Sequence, residues 1–241
     1  MKVYKSAAIA ALLAVLATPV AAMRVQPMSY ELTPSGQRAA QEVRVENTGA
    51  KPMPVEILVE RRKIGVNGED GRTPAEEDFL VFPPQAIVPP NGFQNFRVQY
   101  IGNPSIAETA LYVVTVAQLP VDTEGVNESG IKVLFSLGTS VAVSPVDAKA
   151  AVEISAVEPA PEAGKVRVTV VNSGRKFARL SSGVWTVTSG EASEELKGDI
   201  LRQSIQQPLI EPGTTRIVDL PVSEGFVRAG AKATFTLSPS N

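Results

Sequence analysis

Beyond residue 22 the chain reads in twos. Glu42-Val43-Arg44-Val45-Glu46 puts an apolar side chain at every second position and then stops at Asn47-Thr48-Gly49. Successive side chains of a strand face opposite ways, so this alternation predicts a strand with one buried face and a turn after it. Residues 55–59, Phe96-Arg97-Val98-Gln99-Tyr100 and residues 111–119 predict further strands. Asn67-Gly68-Glu69-Asp70-Gly71 predicts an exposed turn, and residues 73–78 an acidic loop. Pro83-Pro84 and Pro89-Pro90-Asn91-Gly92 bracket a short edge segment, where the missing proline N–H is tolerated. Turn residues recur roughly every 8–12 positions, the spacing of a β-sandwich. No segment after the N-terminus carries a 3.6-residue period, so the chain is predicted to be all-β.

The pattern occurs twice. Val43-Arg44-Val45-Glu46-Asn47-Thr48-Gly49 is echoed by Val166-Arg167-Val168-Thr169-Val170-Val171-Asn172-Ser173-Gly174. Ile87-Val88-Pro89-Pro90-Asn91-Gly92 is echoed by Leu209-Ile210-Glu211-Pro212-Gly213. Both offsets are about 120 residues, which one duplicated sandwich explains. Pro145-Val146-Asp147-Ala148-Lys149-Ala150 is short, with few residues able to pack, and predicts the hinge. The expected units are residues 23–145 and 146–241. Ahead of them, Lys2 and Lys5 precede an apolar stretch at 7–16, and Thr18-Pro19-Val20-Ala21-Ala22 follows with small residues. That is the form of a secretory signal peptide, residues 1–22, cut after Ala22. Nothing later approaches the ~20 apolar residues of a membrane-spanning helix, so export without membrane insertion is expected.

Composition then narrows the chemistry. With 23 basic and 25 acidic residues the net charge is -2, which argues against a nucleic-acid partner. The 241 residues include no Cys and no His, removing disulfides, thiolate nucleophiles, and the commonest general base and metal ligand. Glu76-Glu77-Asp78 lacks the spacing of a calcium loop, and Arg61-Arg62-Lys63 reads as a solvated strand end. Trp185 is expected in the core of the second half. No catalytic residue, metal or cofactor is predicted.

Two stretches resemble the PapD-like chaperones of pilus assembly. Phe82-Pro83-Pro84-Gln85-Ala86-Ile87-Val88-Pro89-Pro90-Asn91-Gly92, followed by Phe96-Arg97-Val98, is similar to the family's proline-containing strand, turn and Arg-bearing strand. Tyr112-Val113-Val114-Thr115-Val116-Ala117-Gln118-Leu119-Pro120 resembles the strand that follows. The resemblance implies two immunoglobulin-like β-sandwich domains joined at an angle, a periplasmic location and no catalysis. It also implies that the last strand of the first domain is lent to an incomplete pilus or fimbrial subunit, which an outer-membrane usher then receives. Residues 131–145 suit that strand. Ile131, Val133, Phe135 and Leu137 alternate with Lys132, Leu134, Ser136 and Gly138, and the row continues through Thr139, Val141 and Val143. The same alternation would serve a strand packed into its own core, with Val141 and Val143 expected there and the lower half donating.

The resemblance further implies a buried or half-buried ion pair, Arg97 with Glu108. It implies a basic anchor for the subunit's C-terminal carboxylate, formed in the family by an Arg on the first strand and a Lys on the last. Pro27-Met28-Ser29-Tyr30-Glu31-Leu32 and Gly138-Thr139-Ser140-Val141-Ala142 contain neither. Arg97, Lys149 and Arg24 are the candidates near the inferred cleft, Arg97 first. An apolar edge would also favour self-association of the free chaperone. The alternative is an exported two-domain adhesion or structural subunit of a surface fibre. Such subunits carry an N-terminal donor extension and a disulfide, and this chain has no Cys.

Overall fold

The computed structural model describes residues 23–120, 133–227 and 229–237. The expected signal peptide, most of the loop before the donor segment, and Ile131 lie outside the described residues.

The first sandwich is built from β1 (Met23–Gln26), β2 (Ser29–Leu32), β3 (Ala40–Asn47), β4 (Met53–Ile64), β5 (Asp70–Pro74), β6 (Phe79–Phe82), β7 (Gln85–Val88), β8 (Gly92–Tyr100), β9 (Ala110–Gln118) and β10 (Ser136–Val143). One sheet has the order β1-β3-β8-β6, and the other β2-β10-β9-β4-β5 with β7 also on β4. Two strands change sheets at prolines. The first edge passes from β1 to β2 at Pro27, and β6 gives way to β7 at Pro83-Pro84, where no N–H is available to continue a ladder. The predicted alternation fills the core: Val43, Val45, Phe96, Val98, Val114, Val116, Val141 and Val143 are all 0% exposed. Each such side chain is worth roughly 1.5–3 kcal/mol relative to leaving it in water.

The second sandwich comprises β11 (Val152–Pro159), β12 (Lys165–Asn172), β13 (Ala178–Arg179), β14 (Val184–Ser189), β15 (Ala192–Leu196), helix α1 (Asp199–Ser204), β16 (Leu209–Ile210), β17 (Thr214–Pro221) and β18 (Lys232–Thr236). Its sheets run β11-β12-β17, β13-β16 and β15-β14-β18. Trp185 is fully buried against Phe235 and donates Nε1–H to the Leu180 carbonyl at 2.9 Å. The helix departs from the all-strand expectation. At six residues it is too short to show a 3.6-residue period.

The duplication has a structural counterpart. Asn47 ends β3 and Asn172 ends β12, both buried. Asn47 accepts from Gly49 N and donates to the carbonyls of Lys51 and Val88. Asn172 accepts from Gly174 N and donates to the carbonyls of Lys176 and Glu211. In both sandwiches one amide ties off the turn by standing in for backbone groups.

The domains meet along a specific seam. Ile64, Leu111, Ala142 and Leu209 form a small apolar cluster of their own, with Phe177 against it. Glu211 is 2% exposed and accepts from Ile64 N at 2.7 Å and Lys63 Nζ at 3.2 Å. The tip of the β4–β5 hairpin reaches the second domain, where Ile217 N donates to the Val66 carbonyl at 2.8 Å. Residues 61–63 are therefore not a merely solvated strand end. Arg61 donates to the Tyr112 hydroxyl, and Arg62 grips Asp70 through two bonds of 2.7 and 3.0 Å.

Candidate functional site

The candidate site is the edge of β10 and the cleft into which it leads. β10 pairs antiparallel with β9 along its whole length. On its other side β2 pairs with it in parallel, but only over Ser140–Val143. Among the described residues no strand covers that side of residues 136–139, so part of their backbone polar groups face outward as an open edge.

Side chains follow the expected row, with a division of labour. Thr139, Val141 and Val143 are 0% exposed, and the Thr139 hydroxyl is satisfied by the Val114 carbonyl at 3.1 Å. Phe135 and Leu137 are half-buried against the same core, and Val133 is 64% exposed. The strand is shorter than the expected run of 131–145. Ser136 opposite Ala117 is the last pair, and one further bond, Gln118 N to the Phe135 carbonyl at 2.8 Å, closes the ladder. β9 offers no partner beyond that point. Gly138 lies opposite Thr115, and a Cβ there would come within 2.8 Å of Val113 Cγ1, so this stretch must stay flat.

Where the open edge stops, a cleft of about 720 Å³ begins between the domains. Ser29, Tyr30 and Glu31 of β2 and Ser140 and Ala142 of β10 line one wall. Lys149, Lys176 and Arg179 line the other. Lys176 Nζ pairs with Glu31 across the cleft at 2.9 Å. Arg179 is half-buried, and its guanidinium is held below the ordinary value by burial and by the like charge of Arg62. No group of three or more metal-binding side chains occurs among the described residues.

The candidate anchors separate. Lys149 is in the cleft, whereas Arg24 and Arg97 are exposed on β1 and β8, strands of the other sheet. The expected Arg97–Glu108 ion pair does not form. Phe96 and Val98 fill the core, so Arg97 faces outward, where among the described residues its guanidinium donates only to Gln99 Oε1, at 3.4 Å. Glu108 is exposed in the connection to β9, next to the bond from Thr109 N to the Arg175 carbonyl at the domain seam. The sequence pattern missed Lys176, Arg179 and Glu31. Arg179 belongs to a two-residue strand, too short to carry a period, and a lone Arg between apolar neighbours gives no signal of a cleft.

A family model for the N-terminal domain of PapD, described as a pili and flagellar-assembly chaperone, matches residues 25–147, just over half of the chain. No curated protein sequence matches. Among solved structures, the class 5 fimbriae chaperone CfaA is similar, with a TM-score of 0.57 and 12% identity, over 90% of this chain and 100% of that one. The E. coli chaperone DraB gives a TM-score of 0.55 at 19% identity, over 90% and 99%. The CsuC–CsuE chaperone–tip adhesion subunit complex from archaic chaperone-usher Csu pili of Acinetobacter baumannii gives 0.52 at 14%, over 83% and 90%. At such identities these structures speak for the fold, and the family match speaks for kinship. The chain is a member of the pili and flagellar-assembly chaperone family, a non-enzymatic family whose two-sandwich, immunoglobulin-like fold it shares.

Proposed function

We propose that the protein is a periplasmic chaperone that completes an unfinished pilus subunit with the β10 edge and the residues leading into it, Ile131, Val133, Phe135 and Leu137, and passes that subunit to an outer-membrane usher. The observation that carries the reading is the open edge at residues 136–139 beside half-buried Phe135 and Leu137. Backbone bonds to such an edge provide affinity, while alternate side chains fill pockets in the added partner. Each apolar side chain moved out of water contributes roughly 1.5–3 kcal/mol before ordering costs. The signal-like residues 1–22 support export, and among similar structures one chaperone is in complex with a tip adhesin and another with a pilin.

The strand also has a preferred direction. β2 blocks pairing beyond Ser140, so a subunit strand laid on the open edge ends at the cleft mouth. Laid parallel to β10, as β2 is, it brings its C-terminus there. Lys149 favours that carboxylate and disfavours an incoming ammonium group. Of the three candidate anchors, Lys149 is the one whose position supports the role.

A second face suits the usher. Leu80 and Phe82 of β6 and Phe93 of β8 are 54%, 70% and 49% exposed on the outside of the sheet that does not contain β10. A partner bound there would leave the donor edge free.

The test is co-expression with a pilus subunit from the same source. A soluble one-to-one complex is expected, and Phe135→Glu should abolish it while the free chaperone keeps its circular dichroism and melting temperature. Normal binding by the variant would show that the donor segment is misplaced. No complex with the unaltered chain would remove the chaperone reading itself.

A further inference from the structure

The tip of the β4–β5 hairpin meets the second domain where that domain's core is unfinished. Along β17, Arg216, Val218 and Leu220 alternate inward, and all three are buried. A guanidinium thus stands where the row calls for an apolar side chain. Arg216 is 2% exposed and donates to the carbonyls of Leu209 at 3.1 Å and Gln207 at 2.9 Å. Among the described residues its Nε has no acceptor and no carboxylate bonds to the group. Burial holds the guanidinium below its ordinary value, and Glu69 of the hairpin tip is the acidic group that opposes the shift. A dry cation without a bonded counterion is costly to keep covered.

The first domain supplies the cover. Its tip is a self-contained turn, in which Gly65 N donates to the Glu69 carbonyl, Gly68 N to the Gly65 carbonyl, and Asn67 to the Glu69 carboxylate. Gly68, with φ at +96°, lies directly on the cation, and a Cβ there would come within 2.9 Å of Arg216 Nη2. Turn and contact both demand glycine. Beside it, the Val66 carbonyl accepts from Ile217 N at 2.8 Å. Adjacent residues of a strand turn their backbone groups to opposite sides. Arg216 and Val218 therefore bond towards β12, and among the described residues the Ile217 amide depends on the tip alone. A cavity of about 270 Å³ between the tip and residues 204–207 leaves the tip room to move. The seam is built differently, with the Ile64 N–H held at 2.7 Å by almost fully buried Glu211.

We propose that the hairpin tip is a latch on the second domain, closed over Arg216 and able to open as a unit while the Glu211 seam stays shut. One neutral backbone bond and an exposed carboxylate hold it closed, and the buried charge favours opening. With the latch open, the second domain keeps its seam contacts and gains freedom to rock about them. The device belongs to the free chain and needs no client.

Amide hydrogen exchange on the full chain, read at single residues, tests it. The Ile217 amide should exchange at least about tenfold faster than those of Ile64 and Val218, because only its protection is lost when the tip lifts. Gly68→Val should speed Ile217 by about a further tenfold and leave Ile64 and Val218 unchanged. Glu69→Gln should speed Ile217 more modestly. In about 1 M salt the unaltered chain should approach the rate of Glu69→Gln, while that variant hardly responds, since screening acts on the pair it lacks. A common rate for Ile217 and Ile64 in the unaltered chain would make tip and seam one unit and overturn the latch. An Ile217 rate that Gly68→Val leaves unchanged would overturn it as well. Where Gly68→Val does not fold, an unchanged rate in Glu69→Gln decides in the same way.

Discussion

Asn47 and Asn172 show what a single side chain can fix. Each is buried at a strand end, and each amide serves three or more backbone groups. Alanine would leave those carbonyls, and one N–H at Asn47 or two at Asn172, without their partners, at a cost of roughly 1–3 kcal/mol per buried unsatisfied group. Asn47→Ala is therefore expected to lower the urea midpoint of the first domain by more than an exposed Asn→Ala change such as Asn95→Ala. An unchanged midpoint would mean that solvent takes over the bonds. This feature was legible in the sequence, because the same Asn-x-Gly follows the same alternating run in both halves. Arg97 and Glu108 were not legible in the same way. A charge within an alternating strand declares which face it is on, but not what lies opposite it in space.

At the scale of elements, the row through Phe135, Leu137, Thr139, Val141 and Val143 was readable as a face, and Val141 and Val143 lie in the core as expected, but the cause of that burial was not legible. Burial of the upper half follows from the parallel cover of β2 and the facing sheet, both distant in sequence. The end of β10 was equally hidden, since a strand stops where its neighbour stops. The β4–β5 hairpin makes the same point through charge. It read as a basic run and a separate exposed turn, but folding back brings Asp70 against Arg62 and Arg72. Burial works against the Asp70 carboxylate, but bonds from Arg62 and Arg72 outweigh it and hold the group below its ordinary value. A carboxyl depressed in the folded state contributes stability that is present above its unfolded value and lost as pH falls through the folded one. Hairpin stability should thus be flat from pH 7 to about 5 and decline below about 4. Asp70→Asn should remove its share of that decline, and amide exchange at residues 60–74 would show it. A decline of the same size in the variant would assign the effect to other carboxylates.

At the scale of the whole molecule, the question is whether two sandwiches behave as one body. Their cores are separate, one drawn from residues 23–143 and the other from residues beyond the linker. Two such cores joined only by residues 145–150 would unfold independently. The seam opposes that. Glu211 is almost fully buried, takes a backbone N–H and an ammonium from the first domain, and lies beside an apolar cluster with members from both. Removing one partner of such a group is costly because the other is left in a dry site. Glu211→Ala leaves Ile64 N without its acceptor and is expected to split a single calorimetric transition into two, the better-packed domain keeping its melting temperature. Small-angle scattering should show a wider spread of inter-domain distances in the same variant. If the transition stays single and the scattering unchanged, the apolar cluster alone couples the domains.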